Sequence, residues 1–235
     1  MIGPYVKPGV TTEYLDDICY DYIVNTLKVT PANIGYYGYT KTTCISPNEV
    51  VCHGIPAPNI VLQDGDIINI DVAIIKDGYF GDTSRMYYVG TPRPEAKRLV
   101  DTTYEAMCAG IRVVKPGATL GDVGHAIQTV AQAQGYSIVR EYCGHGIGKV
   151  YHEAPSVVHY GQPGQGVVLQ EGMVFTIEPM INMGKARTKE LKDGWTVVTA
   201  DKSLSAQWEH MVAVTATGYE VLSPWPEGTG DYAEI

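Results

Sequence analysis

An aspartate, Asp71, interrupts the run INIDVAIIK at residues 68–76, an apolar, β-branched stretch of the kind that builds a buried strand. A carboxylate buried without a partner costs on the order of several kcal/mol, so it must neutralise or meet a cation. The one cation of the run, Lys76, stands at its far end. A hairpin signal, KDG, follows, and then a second strand pattern, YFGDTSRMYYV. A two-residue turn at Asp77-Gly78 pairs Lys76 with Tyr79, Ile75 with Phe80 and Ala73 with Asp82. Asp71 and Asp82 then become diagonal neighbours on one face, with Cβ atoms roughly 5.5–8 Å apart. Glu178 closes the apolar run GMVFTIEPM, and Glu209 lies inside SAQWEHMVAVT. His145 sits in EYCGHGIGKVYHEAP, where glycines let the backbone approach a site closely. Four carboxylates and one imidazole make a shell for two divalent ions, which such groups bridge at roughly 3.5–4 Å, acidifying the water between them. Mixed oxygen and nitrogen donors suit manganese, iron, cobalt or zinc alike.

The remaining histidines divide by context. His53 follows the strand-like VVC and precedes Gly-Ile-Pro, as at a strand end opening on a cleft, and His152 stands seven residues after His145. Either can act as a general acid or base, or as a donor to an oxyanion. His125 falls on a helix pattern, and His159 and His210 show no partner in sequence; all three are assigned to core or surface. The loop GHGIG is a poor match to a phosphate-binding glycine motif, because no strand–turn–helix pattern frames it. The five cysteines are scattered without CxxC spacing and read as reduced thiols.

These side chains need elements to hold them. The phrase V-K-P-G-x-T occurs twice, with its lysines at Lys7 and Lys115, and each copy opens an amphipathic helix at a threonine. Leu15, Ile18, Cys19, Tyr22 and Ile23 form the apolar face of the first helix. Val123, Ala126, Ile127 and Val130 form that of the second. A further helix, over 95–114, precedes the second copy with Leu99, Ala106, Met107 and Ile111 inward; the first copy has no counterpart ahead of it. Strand patterns fall at 50–53, 67–75, 79–89, 167–169, 174–178, 195–199 and 206–215. The chain therefore reads as α+β: a single domain over 1–235, with pseudo-repeats at about 1–93 and 94–222. Helices cover one face of a curved antiparallel sheet, and a loosely packed tail begins at residue 223.

Bulk properties exclude several functions. A net charge of −9 argues against a nucleic-acid surface, and no apolar run is long enough to span a membrane. The N-terminus lacks the pattern of a signal peptide, so a cytoplasmic setting is expected.

Taken in order, NIDVAIIKDGYFGDTS, EYCGHGIGKVYHEAP, FTIEPM, KDGWTV and SAQWEH resemble the methionine aminopeptidases of the bacterial type I class, over residues 5 to about 222. The resemblance implies the pita-bread fold of two pseudo-symmetric halves, and a dinuclear metal site. Asp71 would chelate one ion, His145 and Glu178 the other, and Asp82 and Glu209 would bridge. It implies hydrolysis of the bond after an N-terminal methionine, before a small second residue, by a bridging hydroxide. Glu178 would shuttle the proton, and His53 and His152 would contact the substrate and the oxyanion. Tyr36, Tyr39, Cys44, Tyr151 and Trp195 would line the methionine pocket, and backbone carbonyls of Asn48, Val50 and Ser205 would hold a monovalent cation. The implied partners are nascent chains and peptides, with transient ribosome contact by a monomer.

Departures from the family pattern are Asn33, where many relatives have cysteine, and Tyr151, where many have phenylalanine. The family's helix ahead of residue 5 is also missing. The 31 positions separating Glu178 from Glu209 leave no room for the type II insertion. The alternatives are a proline-specific peptidase of the same fold, or a truncated homologue with weak activity or a binding role.

Overall fold

A computed structural model of the chain describes residues 1–225. Its helices are α1 (Thr12–Asp21), α2 (Pro94–Arg112) and α3 (Leu120–Ala133). The apolar spacing accounts for each: Leu15 and Cys19 are buried on α1, Leu99, Ala106, Met107 and Ile111 on α2, and Val123 and Ile127 on α3. A π-helical turn, Tyr22–Thr26, prolongs α1 and carries Ile23 into the core.

The two VKPG segments make the same bonds. Gly9 N–H donates to the Leu62 carbonyl at 2.8 Å, and Leu62 N–H to that of Val10 at 2.8 Å. Gly117 N–H donates to Leu169 at 2.9 Å, and Leu169 N–H to Ala118 at 2.8 Å. Both glycines are left-handed, with φ of 85° and 87°, a conformation that costs glycine nothing. Thr11 and Thr119 then cap α1 and α3 through side-chain oxygens. Residues 167–169, expected as a strand, instead run beside this second turn with a single bridge, Thr119 to Val168. Their backbone bonds go to the turn and not to a neighbouring strand.

Every strand pairing among the described residues is antiparallel. Strand Ile67–Lys76 lies between Tyr79–Tyr88 and Thr43–Pro47 in a four-stranded sheet. A five-stranded sheet sets Val174–Ile177 between His210–Val214 and Gly144–Gly146. Two three-stranded sheets complete the set. Helices α2 and α3 pack on Phe175, Ile177, Trp208 and Val212, while α1 packs on Ile68 and Ile70. Alternation along Ile67–Lys76 therefore sends Asp71 and Ala73 to the face opposite Ile68 and Ile70.

Two expected strands break where the chain changes sheet. The span 206–215 divides into Ser205–Gln207, paired with Met180–Asn182, and His210–Val214, paired with Val174–Ile177. Trp208 fixes the break: it is fully buried, and its indole N–H donates to the Val100 carbonyl of α2 at 3.0 Å. The span 174–178 likewise ends at Ile177. Glu178 and Glu209 thus occupy matching crossings between the same two sheets. The segment from residue 223 is not loose as far as it is described: Ser223 Oγ accepts from Met211 N–H at 2.9 Å, and Trp225 lies 4.9 Å from Trp208, ring to ring. The rest of the expected loose tail, 226–235, lies outside the described residues.

Candidate active site

The hairpin has the expected register, Ala73 opposite Asp82 and Asp71 opposite Ser84, around a left-handed turn at Asp77 and Gly78. Cys44 flanks Asp71 on the other side. The Oδ1 atom of Asp71 is buried and has no hydrogen-bond partner among the described residues. Burial, followed by the charges of Asp82 and Glu178, holds its pKa well above the usual carboxylate range. Glu209 is raised in the same way, by burial and then by Asp82, Glu178 and Asp71.

His145 enters from the short strand Gly144–Gly146. A Cβ at Gly144 would collide with the Thr176 carbonyl, and one at Gly146 with the Ala154 carbonyl, so only glycines let the flanking strands close around this histidine. Its Nδ1 donates to the Gly146 carbonyl at 3.0 Å, which leaves Nε2 for the site. That atom stands 3.6 Å from Asp82 Oδ2 and 3.7 Å from Glu178 Oε1. Burial alone would lower the His145 pKa; the two carboxylates outweigh it and raise it. Donor atoms of Asp82, His145 and Glu209 all lie within 4.8 Å of one another.

Glu178 is held by residues not singled out in sequence. Thr176 Oγ1 donates to its Oε1 at 2.7 Å and accepts from His145 N–H, and Gln207 Nε2 donates to its Oε2 at 3.1 Å. Its own N–H donates to His159 Nε2 at 3.0 Å. Burial, the leading cause, pushes the Glu178 pKa up to about 7. Strand periodicity could have flagged Thr176 and Gln207, each two residues before a key glutamate. His159, fully buried and with its pKa lowered to about 3 by burial, left no such signal.

Asp71, Asp82, His145, Glu178 and Glu209 line a cavity of about 560 Å³. Tyr36, Tyr39, Cys44, Tyr151 and Trp195 line it together with His53 and His152. Tyr39 and Trp195 meet edge to face at 4.9 Å. His53 is left-handed (φ 55°), an uncommon backbone state for a non-glycine residue, and burial lowers its pKa. Tyr36 Oη lies 2.7 Å from His152 Nδ1, and burial together with His145 and His53 takes the His152 pKa down to about 4. His125 is exposed on α3, while His210 is buried and bonds Ser223.

Two carboxylates about 4 Å apart repel by about 4 kcal/mol at an effective dielectric of 20. A cluster of four cannot stay ionised in a fold whose stability is ~5–15 kcal/mol unless it binds protons or cations. The partnerless Asp71 oxygen fits a divalent metal, and so does His145 Nε2, which faces two carboxylates and offers a lone pair to a cation that takes the place of its proton.

A buried carboxylate–imidazole cluster at the floor of a cleft, on an antiparallel sheet backed by helices, defines a metal-dependent hydrolase. The chain belongs to metallopeptidase family M24, which it matches over residues 1–216. It is 56% identical over 223 residues to the methionine aminopeptidase of Escherichia coli (strain K12), spanning 95% of this chain and 84% of that one. The crystal structure of methionine aminopeptidase from Rickettsia prowazekii is similar with a TM-score of 0.92 at 54% identity, over 94% of this chain and 88% of that one. That of Thermotoga maritima gives 0.91 at 41%, over the same two shares. Both halves and the curved sheet of the pita-bread fold are therefore present. No helix among the described residues is long and apolar enough to cross a membrane.

Proposed function

We infer that the chain hydrolytically removes N-terminal methionine from peptides and nascent proteins whose second residue is small. The observation that carries this reading is the cluster of Asp71, Asp82, His145, Glu178 and Glu209 at the foot of an aromatic cavity. Those five residues would hold two divalent ions of manganese, iron, cobalt or zinc. At such a site divalent metal supplies Lewis-acid polarisation of a carbonyl and acidification of water. Glu178, steadied by Thr176 and Gln207, carries the proton from water to the leaving amine. His152, neutral near pH 7, takes a hydrogen bond from Tyr36 at Nδ1 and donates from Nε2 to the oxyanion. His53 meets the substrate beside Trp195. Tyr36, Tyr39, Cys44, Tyr151 and Trp195 receive the thioether side chain, a polarisable group suited to aromatic walls.

The acidic cleft rewards a free α-amine, which makes the enzyme an exopeptidase. Residues 1–235 act as one catalytic unit with repeats at about 1–93 and 94–222. The Asn48 and Ser205 backbones, joined by a 2.9 Å hydrogen bond, would share a monovalent cation with the Val50 carbonyl. A cytoplasmic monomer that meets the ribosome only transiently completes this reading, and its net charge of −9 gives no general attraction to RNA. Manganese-loaded protein should release methionine from Met-Gly and Met-Ala peptides and spare Met-Lys peptides. Cleavage of Xaa-Pro peptides in their place would overturn the assignment.

A further inference from the structure

Asn33 and Tyr151, two of the departures from the family pattern, touch each other. The Tyr151 hydroxyl donates to Asn33 Oδ1 at 2.7 Å, and Asn33 Nδ2 donates to the Thr42 carbonyl at 3.1 Å. Both residues are 7% exposed, and both line the cavity. The tyrosine ring is clamped: Phe80 stacks on it at 5.0 Å and 9°, and His152 lies 4.1 Å away, ring to ring. The pair is therefore a fixed polar strut in an otherwise aromatic wall. An amide nitrogen has two hydrogens, and a phenol oxygen accepts as well as donates. After the bonds already made, one Asn33 N–H and the acceptor side of the Tyr151 oxygen remain for whatever enters. An apolar wall has no means of rewarding an oxygen on the incoming side chain, whereas a positioned donor does.

We propose that Asn33 and Tyr151 act as one specificity-determining pair that lets the site take a side chain of methionine's length whose sulfur carries an oxygen: N-terminal methionine sulfoxide. This rests on the reading that the cavity receives the first side chain of the substrate. The reaction is the same hydrolysis; water divides between the new carboxyl and the new amine, and the sulfur keeps its oxidation state.

The test compares Met-Ala-Ser with its sulfoxide in four proteins: the native chain, Asn33→Cys, Tyr151→Phe and the double variant. In the native chain both peptides are cleaved. In the double variant kcat/KM for the sulfoxide falls relative to methionine by about tenfold or more, through KM and not kcat. Asn33→Cys leaves both the Tyr151 hydroxyl and the Thr42 carbonyl without their partner, whereas the double variant leaves only the Thr42 carbonyl, so Asn33→Cys raises KM for the methionine peptide further than the double variant does. Calorimetric binding of free methionine and methionine sulfoxide supplies a readout without turnover, and the double variant should lose sulfoxide affinity selectively. An unchanged sulfoxide-to-methionine ratio in both assays, or strictly additive single effects, overturns the pair. Failure of the native chain to release methionine from Met-Ala-Ser would sink the aminopeptidase reading instead, and the binding ratio would still decide the pair.

Discussion

Asp71 shows how one residue can announce a site. Its carboxylate is out of place in an apolar strand, its Oδ1 has no partner, and burial beside Asp82 and Glu178 keeps its pKa high. Glu178 and Glu209 stand out in sequence in the same way, as acids in apolar runs, and the hairpin register adds Asp82. Thr176, Gln207 and His159 do not, because their types are unremarkable in strands and loops and their importance lies in what they touch. Nor could the sequence foresee that Asn33 and Tyr151 are partners, since 118 residues separate them. Buried like charges also carry a stability cost that substitution should reveal. Glu209→Gln removes one charge from the cluster, so metal-free protein at about pH 8 should melt higher, by about 2–4 °C per kcal/mol relieved. The same variant should bind manganese more weakly. A lower melting temperature in chelator would show that the carboxylate stabilises the metal-free fold.

The working elements are the short ones. Long periodic helices such as α2 were legible to within two residues at either end, because the apolar stripe repeats along nearly the whole of its 19 residues. The breaks after Ile177 and at Trp208–Glu209 were not, since a run of strand-forming residues does not say where it changes partner. The physical reason for the second break is long-range: the indole of Trp208 reaches the Val100 carbonyl, and Glu209 N–H reaches the Ser84 carbonyl at 3.1 Å. Trp208→Phe should therefore cost about 1–3 kcal/mol by urea unfolding, as the Val100 carbonyl loses its buried donor. Its effect on turnover should exceed that of an equally destabilising change on the outer face of α3. Equal effects would mean that the crossing does not position Glu209.

Across the whole molecule, the repeated VKPG turns make matching backbone bonds, and each leads into a helix covering its own half of the sheet. That echo was visible in sequence; how the four sheets meet around the cavity was not, because it depends on contacts between residues far apart in the chain. The cavity also couples folding to pH. Glu178 has its pKa raised from 4.5 to about 7, and Asp71 and Glu209 are raised too. The metal-free native state thus holds more protons than the unfolded chain through that window, and the cluster's contribution to stability falls as pH rises through it. Metal bound at the proposed centre would take the place of those protons, so the melting-temperature gain from manganese over chelator should grow between about pH 5.5 and pH 7.5. A gain independent of pH would contradict this linkage. The central claim, that these acids form a metal-dependent aminopeptidase centre, is tested most directly by methionine release from Met-Ala-Ser in the native chain and in Asp82→Asn. Release should fall by about a hundredfold or more in the variant, with less manganese bound per chain. Near-native release from Asp82→Asn, at any metal occupancy, would contradict the account.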